Sequence, residues 1–235
     1  MNAVIMAGGK GTRLAPLTDH NPKPLMPIID KPILRYIIEL LKKHGITDIS
    51  VTLGYMANKI VEAFGDGRDL GVNLHYVIEK EPLGTAGSVK AAANDFKEDF
   101  LVISGDAYTD FDLTSLIDFH RSHGKLVTIA ATRVEDPSAF GVMLLNGAGK
   151  VRSFIEKPKI PVSNVVSTGI YVFKKEILKK IPSGFQDFAR NVFPTLSGQI
   201  YAKIMQGYWS DIGTLLSYYS TNYHVAQEEL AITKR

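Results

Sequence analysis

Four short runs rich in Val and Ile, at residues 3–6, 49–53, 74–78 and 100–104, alternate with stretches of helical periodicity. Few folds accommodate that alternation. Runs apolar at nearly every position suit strands buried on both faces. Strand, helix, strand order predicts right-handed crossovers and a mainly parallel sheet with helices on both faces. The clearest helix spans residues 32–44. Pro32 suits its first turn, Ile33, Ile37, Leu40 and Leu41 make an apolar stripe, Lys42, Lys43 and His44 favour the C-terminal dipole, and Gly45 can cap. Further helices are expected at 57–64, 85–96 and 113–123. After about residue 126 the pattern changes to strands with shorter spacers, at 126–132, 141–145, 151–155 and 168–173, and a closing helix covers roughly 214–230.

No repeat, low-complexity segment or linker marks a boundary, so residues 1–235 read as one α/β domain, its first part roughly 1–125 and its second, smaller and mixed β, roughly 126–235. A chain of 235 residues, 45% hydrophobic, can bury a sizeable core. Its net charge of +3 is scattered among acids and forms no basic stripe, which argues against nucleic acid as a partner. The lack of cysteine excludes disulfides, thiolate metal sites and a cysteine nucleophile. The first residues carry no basic region, and their apolar run is too short for a signal peptide or a membrane span. A cytoplasmic protein with no membrane partner is expected.

Ligands of such sheets bind outside the carboxyl ends of the strands, which directs attention to Gly8-Gly9-Lys10-Gly11-Thr12-Arg13 after the first strand. Glycines let backbone N–H groups approach an anion closely. Lys10, Arg13 and Lys23 add charge, held in place by Pro16, Pro22 and Pro24. A polyphosphate fits. The spacing is neither that of a Walker A loop nor that of the dinucleotide fingerprint, which needs Gly where Leu14 stands. A glycine-rich turn with solvated bases is the competing reading.

Triphosphate chemistry calls for Mg²⁺, held by one or two carboxylates together with phosphate oxygens. Asp106 follows the strand at 100–104 and Gly105, with Asp110 and Asp112 trailing. Asp211 lies in Gly207-Tyr-Trp-Ser-Asp-Ile-Gly213, just before the last helix, where it could equally be a helix N-cap. Glu156-Lys157-Pro158 ends another strand and would alone be a surface turn.

Together these stretches resemble the sugar-phosphate nucleotidylyltransferases over nearly the whole chain. The motifs that carry the likeness occur in order: Gly8 to Thr18, continued by Pro22-Lys23-Pro-Leu-Met-Pro27 and Lys31-Pro32, then Pro82-Leu-Gly-Thr-Ala-Gly87, Gly105-Asp106, Glu156-Lys157-Pro158 and Trp209-Ser-Asp211-Ile-Gly213. Pro82 to Gly87, Pro137 to Val142 and Phe154 to Pro158 bring it nearest to members that transfer guanylyl to mannose 1-phosphate. The resemblance implies the Rossmann-like nucleotidyltransferase fold, with nucleotide bound by the first part and sugar phosphate by the second. It places Ala7, Gly8, Gly9, Gly11, Thr12 and Arg13 around the triphosphate, with Arg13 on the leaving pyrophosphate and Lys23 near the reacting centre. Leu83, Gly84, Thr85 and Gly87 border the base. Asp106 and Asp211 bind Mg²⁺, Asp106 counting with Arg13 and Lys23 as catalytic, and Gly141, Glu156, Lys157, Thr168 and Gly169 hold the sugar phosphate.

The implied substrates are a nucleoside triphosphate and a sugar 1-phosphate, GTP and mannose 1-phosphate before UTP or dTTP and glucose 1-phosphate or another sugar 1-phosphate. A sugar 1-phosphate is already an anion, so its attack on the α-phosphorus needs no base. It needs charge neutralisation and alignment. Relatives often carry Asn-Ala-Gly or Asn-Thr-Gly where this chain has Ser167-Thr168-Gly169, which leaves the sugar open. Many continue into a β-helix or a mutase domain, whereas here the last expected helix runs nearly to Arg235 and no C-terminal β-helix is expected. A nucleotide-sugar sensor that kept the fold but lost activity is a lower-ranked alternative.

Other features read plainly. His120 and His123 suggest a solvated helix face rather than a metal site. Tyr218, Tyr219 and Tyr223 are expected to pack on the core, with a second subunit of a homo-oligomer as the alternative. Lys174, Lys175, Lys179 and Lys180 form the wet side of a helix whose Ile177, Leu178 and Ile181 face inward.

Overall fold

The computed structural model describes residues 1–233. Its strands are β1 (Asn2–Ala7), β2 (Pro27–Ile28), β3 (Lys31–Pro32), β4 (Asp48–Leu53), β5 (Asn73–Ile78), β6 (Phe100–Ser104), β7 (Ala107–Thr109), β8 (Val127–Arg133), β9 (Gly141–Leu145), β10 (Val151–Glu156), β11 (Val165–Phe173), β12 (Ile200–Ile204) and β13 (Trp209–Asp211). The α-helices are α1 (Ile33–Lys43), α2 (Ala57–Phe64), α3 (Gly84–Ala92), α4 (Leu113–His123) and α5 (Leu215–Thr233).

The four Val- and Ile-rich runs form the parallel half of a nine-stranded sheet, in the order β6-β1-β4-β5. β11 joins it antiparallel through β6 and leads on to β9, β10 and β8, while β12 lies parallel to β8. Strands of both halves of the chain therefore share one sheet.

Alternate residues of β1 show why its run is apolar throughout: Ala3 and Ile5 face one core, Val4 the other. The first core takes the stripes of α1, α2 and α4, through Ile37, Ile60 and Leu116 among others. The second takes Ala86 and Val89 of α3 together with Phe188 and Phe193. There Phe173 stacks on Phe188 at 4.9 Å between ring centroids, and each such ring contributes about 1.5–3 kcal/mol by burial.

Helix signals are met with shifts at the ends. Pro32 is the N-cap of α1, and Gly45 follows its last turn at φ 74°. The helix expected to reach residue 96 stops at Ala92. α5 is capped by Thr214, whose Oγ1 accepts from Ser217 N–H at 3.1 Å, which removes the N-cap reading of Asp211. The lysine-rich turn Lys175–Lys180 is a 3₁₀ helix with Ile177 buried and its lysines outside.

Two expectations are corrected. His120 is not on a solvated face: it is 1% exposed, because the strand β8 lies beneath α4 and Thr128 Oγ1 sits 2.7 Å from both His120 Nδ1 and His123 Nε2. The His123 ring also stacks on Tyr201. Among the tyrosines of α5, Tyr218 packs against the core and its hydroxyl donates to the Pro27 carbonyl at 2.6 Å. Tyr219 and Tyr223 instead point outward, 68% and 59% exposed, one helical turn apart on the face that α5 turns away from the sheet.

Candidate active site

The parallel strands β1 and β6 end side by side, and the loops that leave them open a cavity of about 450 Å³. Ala7, Gly8, Gly9, Gly11, Thr12 and Arg13 line it from the β1 side, Asp106 from the β6 side, Lys23 from a neighbouring turn, and Gly84 and Thr85 from the start of α3.

The first loop is built around its glycines. Gly11 adopts φ 66°, and its carbonyl accepts from Leu14 N–H at 2.9 Å and from Thr18 Oγ1 at 3.0 Å, so the chain turns sharply into the 3₁₀ turn Thr12–Leu14. Leu14 anchors that turn in the protein, fully buried, which leaves Thr12 and Arg13 outside. Gly9 differs from its neighbours, since a Cβ there would meet nothing within 4 Å. Protein packing does not require that glycine.

Lys23 sits in a second 3₁₀ turn (Lys23–Leu25) that begins after Pro22. Only 8% exposed, it directs Nζ onto Asp106 Oδ2. Asp106 is placed by Gly105, whose N–H donates to the Met6 carbonyl at 2.8 Å and where a Cβ would be 2.9 Å from Ala7 Cβ. Only a glycine lets the end of β6 close on the end of β1.

Asp211 reaches the same place by a route local sequence does not reveal. β13 pairs antiparallel with β7, Asp211 opposite Ala107, and Ile212 N–H donates to the Asp106 carbonyl at 3.0 Å. Burial raises the pKa of Asp211, the Asp106 charge raises it further, and Lys23 and Arg13 partly offset both. Arg13 Nη2 lies where a Cβ of Gly213 would come within 3.1 Å of it. Arg13, Lys23 and Asp106 thus line the cavity, with Asp211 coupled to all three from beside it.

The second group of expected residues lies on β9, β10 and β11, outside this cavity. Glu156 ends β10 opposite Gly141, where a Cβ would collide with the Phe154 ring and stand 3.1 Å from Glu156 Oε2. Burial raises the Glu156 pKa against the opposing effect of Lys157. Lys157 holds φ 47°, a left-handed conformation rare for a side chain of its size, fixed by its N–H donating to the Phe140 carbonyl at 2.9 Å. Gly169, at φ 76°, marks the irregularity in β11 where it lies against Ser104. The Thr168 hydroxyl is committed to the Ala130 carbonyl at 2.8 Å, and its own carbonyl accepts from Trp209 Nε1 at 3.0 Å.

Leu83 and Gly87 stand behind the wall, not in it. Leu83 donates its N–H to Glu79 Oε2 at 3.0 Å. Glu79 lines the cavity itself, takes a second bond from Ser88 Oγ at 2.6 Å, and went unnoticed in the sequence, as did Phe185. Glu79 directly follows β5, at a strand carboxyl end like that of Asp106, and that position was its available signal.

Among the described residues there is no group of three or more His, Cys, Asp or Glu suited to a metal, and no helix is long and apolar enough to cross a membrane.

The nucleotidyl transferase family matches residues 2–228. A mannose-1-phosphate guanyltransferase beta-A of Xenopus laevis is 38% identical over 91% of the chain and 61% of its own length. A UTP–glucose-1-phosphate uridylyltransferase of Synechocystis is 38% identical over 98% of the chain and 64% of its own. The chain thus spans about three fifths of the length of these curated relatives. Among solved structures, that of a glucose-1-phosphate thymidylyltransferase, described as putative, from Bacillus anthracis superimposes with TM-score 0.85 at 28% identity, covering 95% of this chain and 94% of that one.

Proposed function

The chain belongs to the nucleotidyl transferase family, and from that premise we propose that it transfers a nucleotidyl group from a nucleoside triphosphate to a sugar 1-phosphate, releasing pyrophosphate. GTP and mannose 1-phosphate are the favoured pair, since a guanyltransferase shares 38% identity with it. The uridylyltransferase at 38% makes UTP and glucose 1-phosphate the second reading. The observation that carries the proposal is the convergence of Arg13, Lys23 and Asp106 on the cavity that the glycine loop lines.

In this reading Gly8, Gly9 and Gly11 lie along the triphosphate, and the Arg13 guanidinium faces the pyrophosphate as it leaves. An oxygen of the sugar phosphate forms a bond to the α-phosphorus while the bond from that phosphorus to the bridging oxygen breaks, and the electron pair departs with pyrophosphate. No proton has to be removed to make the nucleophile. Lys23 and Arg13 stabilise charge that accumulates only as the bonds exchange. Gly141, Glu156, Lys157, Thr168 and Gly169 would frame the sugar phosphate, with Lys157 held in a fixed backbone conformation to meet its anion.

Asp106 and Asp211 fit Mg²⁺. A half-buried carboxylate whose pKa is raised by burial and by its neighbour's charge is stabilised when a divalent cation joins the pair, and Mg²⁺ binds through one or two carboxylates plus phosphate oxygens. When bound, the cation neutralises charge on the phosphates. The composition without cysteine supports a cytoplasmic setting, and the exposed Tyr219 and Tyr223 support assembly with a second copy.

The test is pyrophosphate release with Mg²⁺ from GTP, UTP, dTTP, CTP and ATP, each crossed with mannose, glucose and N-acetylglucosamine 1-phosphates. GTP with mannose 1-phosphate as the fastest pair supports the reading. Another fastest pair moves the substrate, and release from none overturns the proposal.

A further inference from the structure

Phe185 is a large apolar side chain left 64% exposed on a segment whose backbone is held from both sides. The Gln186 N–H donates to the Leu83 carbonyl at 2.8 Å, and the Gln186 carbonyl accepts from Ala86 N–H at 2.9 Å. Thr85 Oγ1 donates to Asp187 Oδ2 at 3.1 Å and accepts from Phe188 N–H at 2.9 Å.

A Cβ at Gly84 would run into the Gln186 carbonyl, and one at Gly87 would stand 2.7 Å from the Gly184 carbonyl oxygen. The two glycines let segment 184–186 dock backbone against backbone. That docking places Phe185 in the lining of the cavity that the glycine loop also lines. An aromatic side chain on a fixed backbone, facing a cavity yet exposed to water, gains most when a flat apolar surface covers it.

The next step rests on the nucleoside triphosphate reading above. With the phosphates at Gly11, Arg13 and Lys23, the end of the cavity left for the base is the one that Pro82, Gly84, Thr85 and Phe185 line. We infer that Phe185 packs its ring against the base of the bound nucleotide and closes that end of the cavity over it. Stacking accepts any base, so Phe185 sets affinity for nucleotides as a class rather than the choice among them.

The experiment measures binding of GTP, UTP and inorganic tripolyphosphate to the wild type, Phe185→Ala and Phe185→Trp by calorimetry. Phe185→Ala is expected to weaken the preferred nucleotide by about 5- to 100-fold and to leave tripolyphosphate, which has no base, within about twofold. Phe185→Trp restores affinity, and its added emission responds to the nucleotide but not to tripolyphosphate. Equal weakening of both ligands would mean that the ring only supports the loop, and that result overturns the inference. So does unchanged nucleotide affinity in Phe185→Ala. A wild type that binds no nucleoside triphosphate fails at the earlier step, and overturns the transfer reading along with this one.

Discussion

The Lys23 ammonium rests on the Asp106 carboxylate, 83 residues away in sequence, and the half-buried Asp211 lies close enough for the charge of Asp106 to raise its pKa. Removing one member of such a cluster takes away charge stabilisation that the transferring phosphoryl group needs. Arg13→Ala and Asp106→Asn should each lower kcat for pyrophosphate release by roughly 100-fold or more, measured at saturating substrates. A variant that keeps more than about a tenth of the wild-type rate would remove its residue from the chemistry.

Burial and the charge of Asp106 make the ionised form of Asp211 unfavourable. Its pKa is raised in the folded state, so the ionised form costs stability near neutral pH without a divalent cation. Asp211→Asn should therefore melt at or above the wild-type temperature in EDTA, yet need more Mg²⁺ for activity. Thr214→Ala provides the contrast, since Thr214 and not Asp211 caps α5, and should cost about 1 kcal/mol with activity retained. Thermal melts and Mg²⁺ titrations of the two variants separate these roles.

The glycines of the cavity divide in the same way. Gly84 at φ 70° faces the Gln186 carbonyl, so Gly84→Ala should destabilise the protein by roughly 1–3 kcal/mol. Gly9 has open space around it. Gly9→Ala should leave stability within about 0.5 kcal/mol and raise KM for the nucleotide, because the added methyl occupies room that a phosphate needs. Chemical denaturation alongside initial rates reads both effects.

His120 is buried and its pKa is pushed down to about 4, by burial first and then by His123, Lys174 and Arg121. The unfolded chain binds a proton near pH 6.5 that the folded chain refuses. The stability this histidine contributes is thus present above pH 6.5 and lost as pH falls towards 4, at up to about 1.4 kcal/mol per unit. His123, also lowered chiefly by burial, adds in the same sense. Denaturant midpoints between pH 7 and 5 should fall less steeply in His120→Gln than in the wild type, and equal slopes would contradict the assignment.

Much of this was legible beforehand because its signals are local. β1, β4, β5 and β6 are continuous apolar runs, α1 carries its stripe and its terminal charges, and the glycine loop follows the first strand. What stayed hidden depends on pairing between distant segments. β7 and β13 are three residues each and form a sheet only with one another, yet that ladder brings Asp211 to Asp106. The packing of Gly84 and Gly87 against the backbone of Gly184 and Gln186 is also hidden, because that segment lies far along the chain. His120 and His123 looked wet because helical spacing places them on one face without saying that Thr128 lies against it. Tyr219 and Tyr223 looked buried because they are aromatic, and residue type does not fix which side of a helix meets the sheet.

One measurement bears directly on the proposed chemistry: the fate of the α-phosphorus. GTP labelled with ³²P at that position is incubated with mannose 1-phosphate and Mg²⁺, and the products are separated. Attack by the sugar phosphate at the α-phosphorus should carry the label into GDP-mannose while unlabelled pyrophosphate is released. Label recovered only in GMP or GDP, with no sugar attached, would contradict it and describe a nucleotide hydrolase instead.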